Sequence, residues 1–143
     1  MNSAILAPAA VLVVWTLIIL AWMALTRFPA LGKAGADVTS AVGTRGQDLE
    51  TMLPDKVNWK SHNYTHLVEQ PTIFYAAVFI IALTGTGDAQ INVWLAWAYV
   101  GLRIAHSLVQ VLWNRVAVRF TLFLLATFCL LGLAIHALAA ALH

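Results

Sequence analysis

Four long apolar stretches separated by polar connections dominate the pattern of this 143-residue chain. The first, at about 5–26, carries no charge and meets the roughly 20 apolar residues that a bilayer crossing needs. It lacks the basic start and short apolar core of a cleaved leader, so it is expected to remain as a helix. The second, at about 61–84, is polar in its first third and cleanly apolar only through TIFYAAVFIIAL. Pro71 removes a backbone donor and crowds the preceding turn, which predicts a kink near Leu67 to Pro71. The third and fourth stretches, at about 89–113 and 116–142, complete the pattern. It predicts an all-α integral membrane protein, a four-transmembrane-helix bundle in one domain.

The connections order these helices. GTGD, Gly85 to Asp88, joins the second helix to the third, and Asn114 with Arg115 joins the third to the fourth, so sequential neighbours should run antiparallel. Residues 27–60, with Gly32, Gly35, Gly43, Gly46 and Pro54, form the one soluble stretch of any size, a loop with room for a short amphipathic turn. Arg27, Lys33, Arg45, Lys56 and Lys60 mark this first loop, Arg115 and Arg119 mark the third, and GTGD has no basic residue. The positive-inside rule then puts the first and third loops in the cytoplasm and both termini outside, as in a bacterial inner membrane. Trp59, Trp94 and Trp113 fall near helix ends, where interfacial tryptophans collect.

Composition agrees and narrows the chemistry. Hydrophobic residues make up 62% and charged residues 10%, far from the balance of a soluble domain. A net charge of +2 is too small to suggest nucleic acid. The lone Cys129 offers no disulfide or metal cluster and reads as a small packing residue.

The polar residues inside the helices then stand out. At about 100° per residue, Tyr99, Arg103, His106 and Gln110 share an arc of roughly 60° on the third helix. On the second helix Asn63, Gln70 and Phe74 share a side, with His66 and then Glu69 turned progressively away. Counting about 1.5 Å per residue from the cytoplasmic ends puts Glu69 roughly 12 Å deep and Arg103 roughly 15 Å deep, a match that predicts an ion pair. His66 and His106 lie nearer the surface, Asn63 and Gln110 nearer still, and Arg119 opens the fourth helix on that side. An arginine at a helix centre costs about 2.5 to 3.5 kcal/mol on insertion scales, so these groups should face one another or water. The simplest reading is a structural Arg103 to Glu69 lock with hydrogen-bonded histidines. It does not account for Gln110, His106 and Arg119, and the fuller reading is a polar pocket open to the cytoplasm. Arginines, histidines, a carboxylate and amides suit a small polyanion that also carries an amine, with a lipophilic second substrate in the grooves beside it. His136 and His143 lie toward the opposite face and read as structural.

GLRIAHSLVQ, continuing as VLWNRVAVRF, resembles the third and fourth helices of the MAPEG family, the membrane-associated proteins in eicosanoid and glutathione metabolism. Arg103, His106, Arg115 and Arg119 fall in register with that family's R-x-x-H, basic residue and helix-four arginine, and NYTHLVEQPTIFY is similar to its helix-two signature, especially in its bacterial branch. The resemblance implies a homotrimer of four-helix protomers binding glutathione between subunits near the cytoplasmic face. It implies Arg119 as the catalytic residue that stabilises the glutathione thiolate. Glu69, Arg103 and His106 would line the glutathione site, with Asn63, His66, Gln110 and Arg27 as further binding residues. Gln110 stands where several eicosanoid-forming relatives have a tyrosine, and it has no phenolic proton to give. His66 takes the place of the usual Asn three before Glu69, and Phe120 follows Arg119 where some members have a small polar residue.

The expectation is a glutathione-dependent transferase or peroxidase acting on lipophilic electrophiles or lipid hydroperoxides, with membrane lipid around it and no metal. The alternative is a noncatalytic lipid- or protein-binding member of the same kind. A transporter using Glu69 as a proton site fits less well, because the polar opening is one-sided.

Overall fold

A computed structural model of the chain describes residues 3–142. Its elements are α1 (Leu6–Lys33), a short 3-10 helix (Gly46–Met52), α2 (Asp55–Leu83), α3 (Gln90–Leu112) and α4 (Val116–Leu142). All four α-helices are long and apolar enough to cross a membrane, which makes this an integral multi-pass membrane protein. His143 lies outside the described residues.

Two boundaries differ from the reading of the pattern. α1 runs on to Lys33, so Arg27 sits within the helix rather than after it. Nothing in the polar residues beyond position 26 breaks a helix until Gly35, whose φ of +71° lets the Ala36 N–H close back on the Leu31 carbonyl at 3.1 Å. α2 starts at Asp55 instead of near residue 61. Pro54 (φ −61°) leads into it, and Asp55 in the first turn meets the positive end of the helix dipole. Hydropathy marks the apolar part of a helix, and both helices extend beyond it.

α2 and α3 form the centre of the bundle and touch each other; α1 packs on both, and α4 packs on both from elsewhere, with no extended α1 to α4 contact. The buried core gathers Leu12 and Ile19 of α1, Phe74 and Ile81 of α2, Tyr99 and Val100 of α3, and Leu130 and Leu133 of α4. Phe74 and Tyr99 stack with ring centroids 4.4 Å apart. The Tyr99 hydroxyl donates to Gln70 Oε1 (3.3 Å), Gln70 Nε2 donates to Thr127 Oγ1 (3.0 Å), and Thr127 donates to the Phe123 carbonyl (2.8 Å). This chain of bonds ties α3, α2 and α4 together and satisfies the buried phenol, as an apolar interior requires. Leu25, Phe28, Ile135 and Leu138 point outward, as lipid-facing side chains do.

The α1–α2 connection is folded onto α2. Asn58 Nδ2 donates to the Glu50 carbonyl (2.9 Å), His62 Nε2 lies 3.0 Å from Glu50 Oε2, and Arg27 donates to the Ser61 hydroxyl (2.7 Å) and the Gly46 carbonyl. Asp37 organises the start of this loop: its carboxylate accepts from the Ser40 and Thr39 hydroxyls, both at 2.6 Å, and from their backbone N–H groups. The Ser40 hydroxyl first, then Thr39, hold the Asp37 carboxyl down at about 2. Because the folded value is lowered, the turn keeps this support above the ordinary carboxylate range and loses it as pH falls through about 2. A carbon-13 titration of the Asp37 carboxyl should therefore show a midpoint near 2, and Ser40→Ala should raise it.

Candidate functional site

The end of the bundle carrying the α1–α2 loop and the α3–α4 link brings together most of the polar residues singled out above. Tyr99, Arg103, His106 and Gln110 are all buried, so the stripe on α3 faces the bundle interior. Its partners on α2 follow the same helical spacing. Asn63 is fully buried and donates from Nδ2 to the Ser107 hydroxyl at 2.5 Å. His66 and His106 meet edge to face with ring centroids 6.0 Å apart.

Arg103 does not pair with Glu69. Its Nη2 donates instead to the backbone carbonyl of His66 at 2.6 Å, while Glu69 Oε2 lies 3.5 Å from His66 Nδ1. The rotation of each residue about its helix axis decides the partner. Glu69 is three residues past His66, and that rotation carries its side chain to 62% exposure, whereas Arg103 is 1% exposed. Pro71 contributes locally: it offers no N–H to the Leu67 carbonyl, and Arg103 donates to the carbonyl next to it. α2 is nevertheless a continuous helix through Pro71.

Arg119 sits just inside α4, and its Nη1 donates to Asn114 Oδ1 at 2.5 Å. Asn114 is the residue that lets this happen. It adopts φ +53°, the left-handed conformation that Asn tolerates better than most, and its N–H and that of Trp113 both close on the Val109 carbonyl. The charges of Arg103 and Arg119 both reach the His66 and His106 rings. Arg115 turns away and stacks over Trp113, 4.6 Å from the ring centroid.

None of Arg27, Arg103 and Arg119 has a carboxylate within 4.0 Å among the described residues. Buried Arg103 Nε and Nη1, Arg119 Nε, Asn63 Oδ1 and Gln110 Oε1 also have no hydrogen-bond partner. Such orphans are few in native proteins and each calls for an explanation.

Two hollows adjoin this cluster. One, of about 290 Å³, is lined by Gln47, Glu50, Ser61, His62, Thr65 and His66 on the outer side of α2. The other, an apolar groove of about 230 Å³ between α1 and α2, includes Leu17, Tyr75 and the two residues between His66 and Glu69, Leu67 and Val68. His62, Ser61, Ser107 and Asn114 were not singled out from the sequence. Ser107 follows His106 on the stripe, and an Asn in a two-residue interhelical link is the signal that Asn114 carried.

No curated protein and no solved structure matches the chain. The model of the MAPEG family matches residues 5–139, nearly the whole length and including every side chain of this cluster. The chain belongs to the MAPEG family.

Proposed function

We propose that this protein is a glutathione-dependent membrane transferase or peroxidase acting on lipophilic electrophiles or lipid hydroperoxides. The observation that carries this reading is the set of three guanidinium groups, Arg27, Arg103 and Arg119, at one end of the bundle with no carboxylate within 4.0 Å among the described residues. Glutathione supplies two carboxylates for such donors and a thiol that serves as nucleophile or reductant. The family includes glutathione transferases and peroxidases.

The residues divide by reach. Arg119 is partly exposed at the mouth and held by Asn114, so it is the cation available to a thiolate. A thiol is only a few per cent ionised at neutral pH, and a neighbouring cation favours the charged form. Arg103, buried and bonded to α2, sets the position of His66 and adds positive potential from below. His66, about half exposed, stands between this interior and Glu69, whose carboxylate suits an ammonium group. Asn63, His106 and Gln110 support the inner wall, and Arg27 ties the loop to α2 at the rim. The apolar groove beside Leu67 and Val68 is the place for a lipophilic second substrate.

The site is completed by other copies of the chain. His62, Thr65, Glu69 and Thr72 form an exposed polar line along α2, spaced by three and four residues. Facing lipid, an acidic side chain costs about 2.5 to 3.5 kcal/mol at the membrane centre, so this face is better covered by a second protomer. A homotrimer with the loop end in the cytoplasm puts the polar line of one subunit beside its neighbour.

The test is a glutathione titration of the purified protein in nanodiscs, followed both by calorimetry and by thiolate absorbance. Saturable binding with a thiolate signal at neutral pH is expected. Binding without thiolate would favour a noncatalytic member, and no binding at millimolar glutathione would overturn the proposal.

A further inference from the structure

At the opposite end of the bundle the α2–α3 turn meets the last turns of α4 around a groove of about 520 Å³, lined by Thr84, Thr86, Ile91, Asn92, His136 and small alanines. Its polar groups have an unusual common property. Asn92, 4% exposed, donates from Nδ2 to the Thr86 carbonyl at 3.0 Å, which fixes the amide so that Oδ1 faces His136. His136 Nδ1 lies 2.6 Å from that oxygen, and since an amide oxygen only accepts, Nδ1 must carry the proton. In the neutral ring Nε2 is then a free acceptor.

The two threonines are committed in the same sense. The Thr84 hydroxyl donates to the Ile80 carbonyl at 2.9 Å, and the Thr86 hydroxyl has the Ile81 carbonyl at 3.3 Å. Both keep oxygen lone pairs and spend their protons on the helix. Apart from the second N–H of Asn92, the side chains at the polar end of this groove therefore offer acceptors, and the lining contains no Asp, Glu, Lys or Arg among the described residues. Ile91, Ala89, Ala139 and Ala140 supply an apolar floor, with the alanines leaving the volume open.

We propose that this groove is a binding site for a neutral lipophile with a hydroxyl group, of the alkylphenol type, whose O–H donates to His136 Nε2 while its apolar body lies along α4. An anionic headgroup finds no cationic side chain among the described lining residues, and an ether or ester with no O–H gains no bond to the ring. The site is at the far end from the arginine cluster and is independent of the glutathione reading.

The decisive probes are 4-octylphenol and its methyl ether 4-octylanisole, which have similar shape and differ in the donated proton. Calorimetry of the full chain in phosphatidylcholine nanodiscs should give about tenfold tighter binding of the phenol, the size of one well-formed hydrogen bond. The nitrogen-15 signal of His136 Nε2 should shift with the phenol and not with the ether. His136→Phe should bring the phenol down to the affinity of the ether without altering glutathione binding. Equal affinities for the two probes, or a preference that persists in His136→Phe, would overturn the proposal. Tighter binding of octylamine than of octylphenol would overturn the neutral hydroxyl class in favour of a cation. Should His136→Phe fail to fold, the two probes and the nitrogen-15 shift on the parent protein still decide the matter.

Discussion

Arg119→Ala is expected to lower the thiolate fraction of bound glutathione at pH 7 by tenfold or more. An opposite charge within about 4 to 6 Å lowers an acid's pKa by about 1 to 3 units, and that lowering disappears with the guanidinium. The sign is fixed: a cation favours the thiolate, so its removal raises the thiol pKa and moves the thiolate absorbance profile to higher pH by that amount. Binding should weaken less than ionisation, because Arg27 and Arg103 remain to attract the carboxylates. Arg119→Lys should keep part of the shift, since the charge survives but the planar fork that Asn114 orients does not. Arg115→Ala is the internal comparison. Arg115 is only four residues away, yet it stacks on Trp113, so its loss should leave the profile in place. An unchanged profile in Arg119→Ala would remove this residue from the proposed chemistry.

The different fates of Glu69, Arg103 and Arg119 show what a one-dimensional pattern carries. Four apolar stretches of bilayer length are legible because hydropathy is a property of the chain itself, and all four appear as helices. The stripe from Tyr99 to Gln110 is legible for a related reason: a regular helix turns equal spacing into a common face, and every member of the stripe is buried. The Arg103 to Glu69 pair failed because it joins two helices. Depth along each axis follows from counting, but the rotation of α2 relative to α3 follows from packing, and here packing turned Glu69 outward and presented a backbone carbonyl to Arg103. Backbone acceptors have no letter in the sequence. The helix ends failed for another reason, since Arg27, Asp55, Lys56, Asn58 and Lys60 are polar but helix-compatible, and polarity marks the end of the apolar stretch rather than the helix end. Asn114 shows the remaining gap. Its left-handed backbone and its bond to Arg119 arise together from a tight link, which spacing alone does not reveal.

Arg103→Met should separate stability from ligand recognition. Arg103 is buried to 1% exposure with Nε and Nη1 unpartnered, and each buried polar group left unsatisfied costs about 1 to 3 kcal/mol. Against that stands one charge-assisted bond to the His66 carbonyl, worth about 1.5 to 3 kcal/mol. Met fills much of the same volume with no donor to satisfy, and replacing buried charges with well-packed apolar groups is often neutral or stabilising by about 1 to 4 kcal/mol. The ligand-free variant should therefore unfold at the same denaturant concentration as the parent, or a higher one. Its response to glutathione should differ. A ligand present at about 100 times its Kd stabilises the folded state by about 2.7 kcal/mol, and that increment should shrink sharply when the inner cation is gone. Unfolding curves of both proteins with and without glutathione measure the two quantities together. A variant that is strongly destabilised without ligand yet keeps the full glutathione increment would make Arg103 a structural pin for α2 and nothing more. The expected pattern, stability kept and ligand response lost, makes the orphaned donors a cost borne by the empty protein for the sake of an anion.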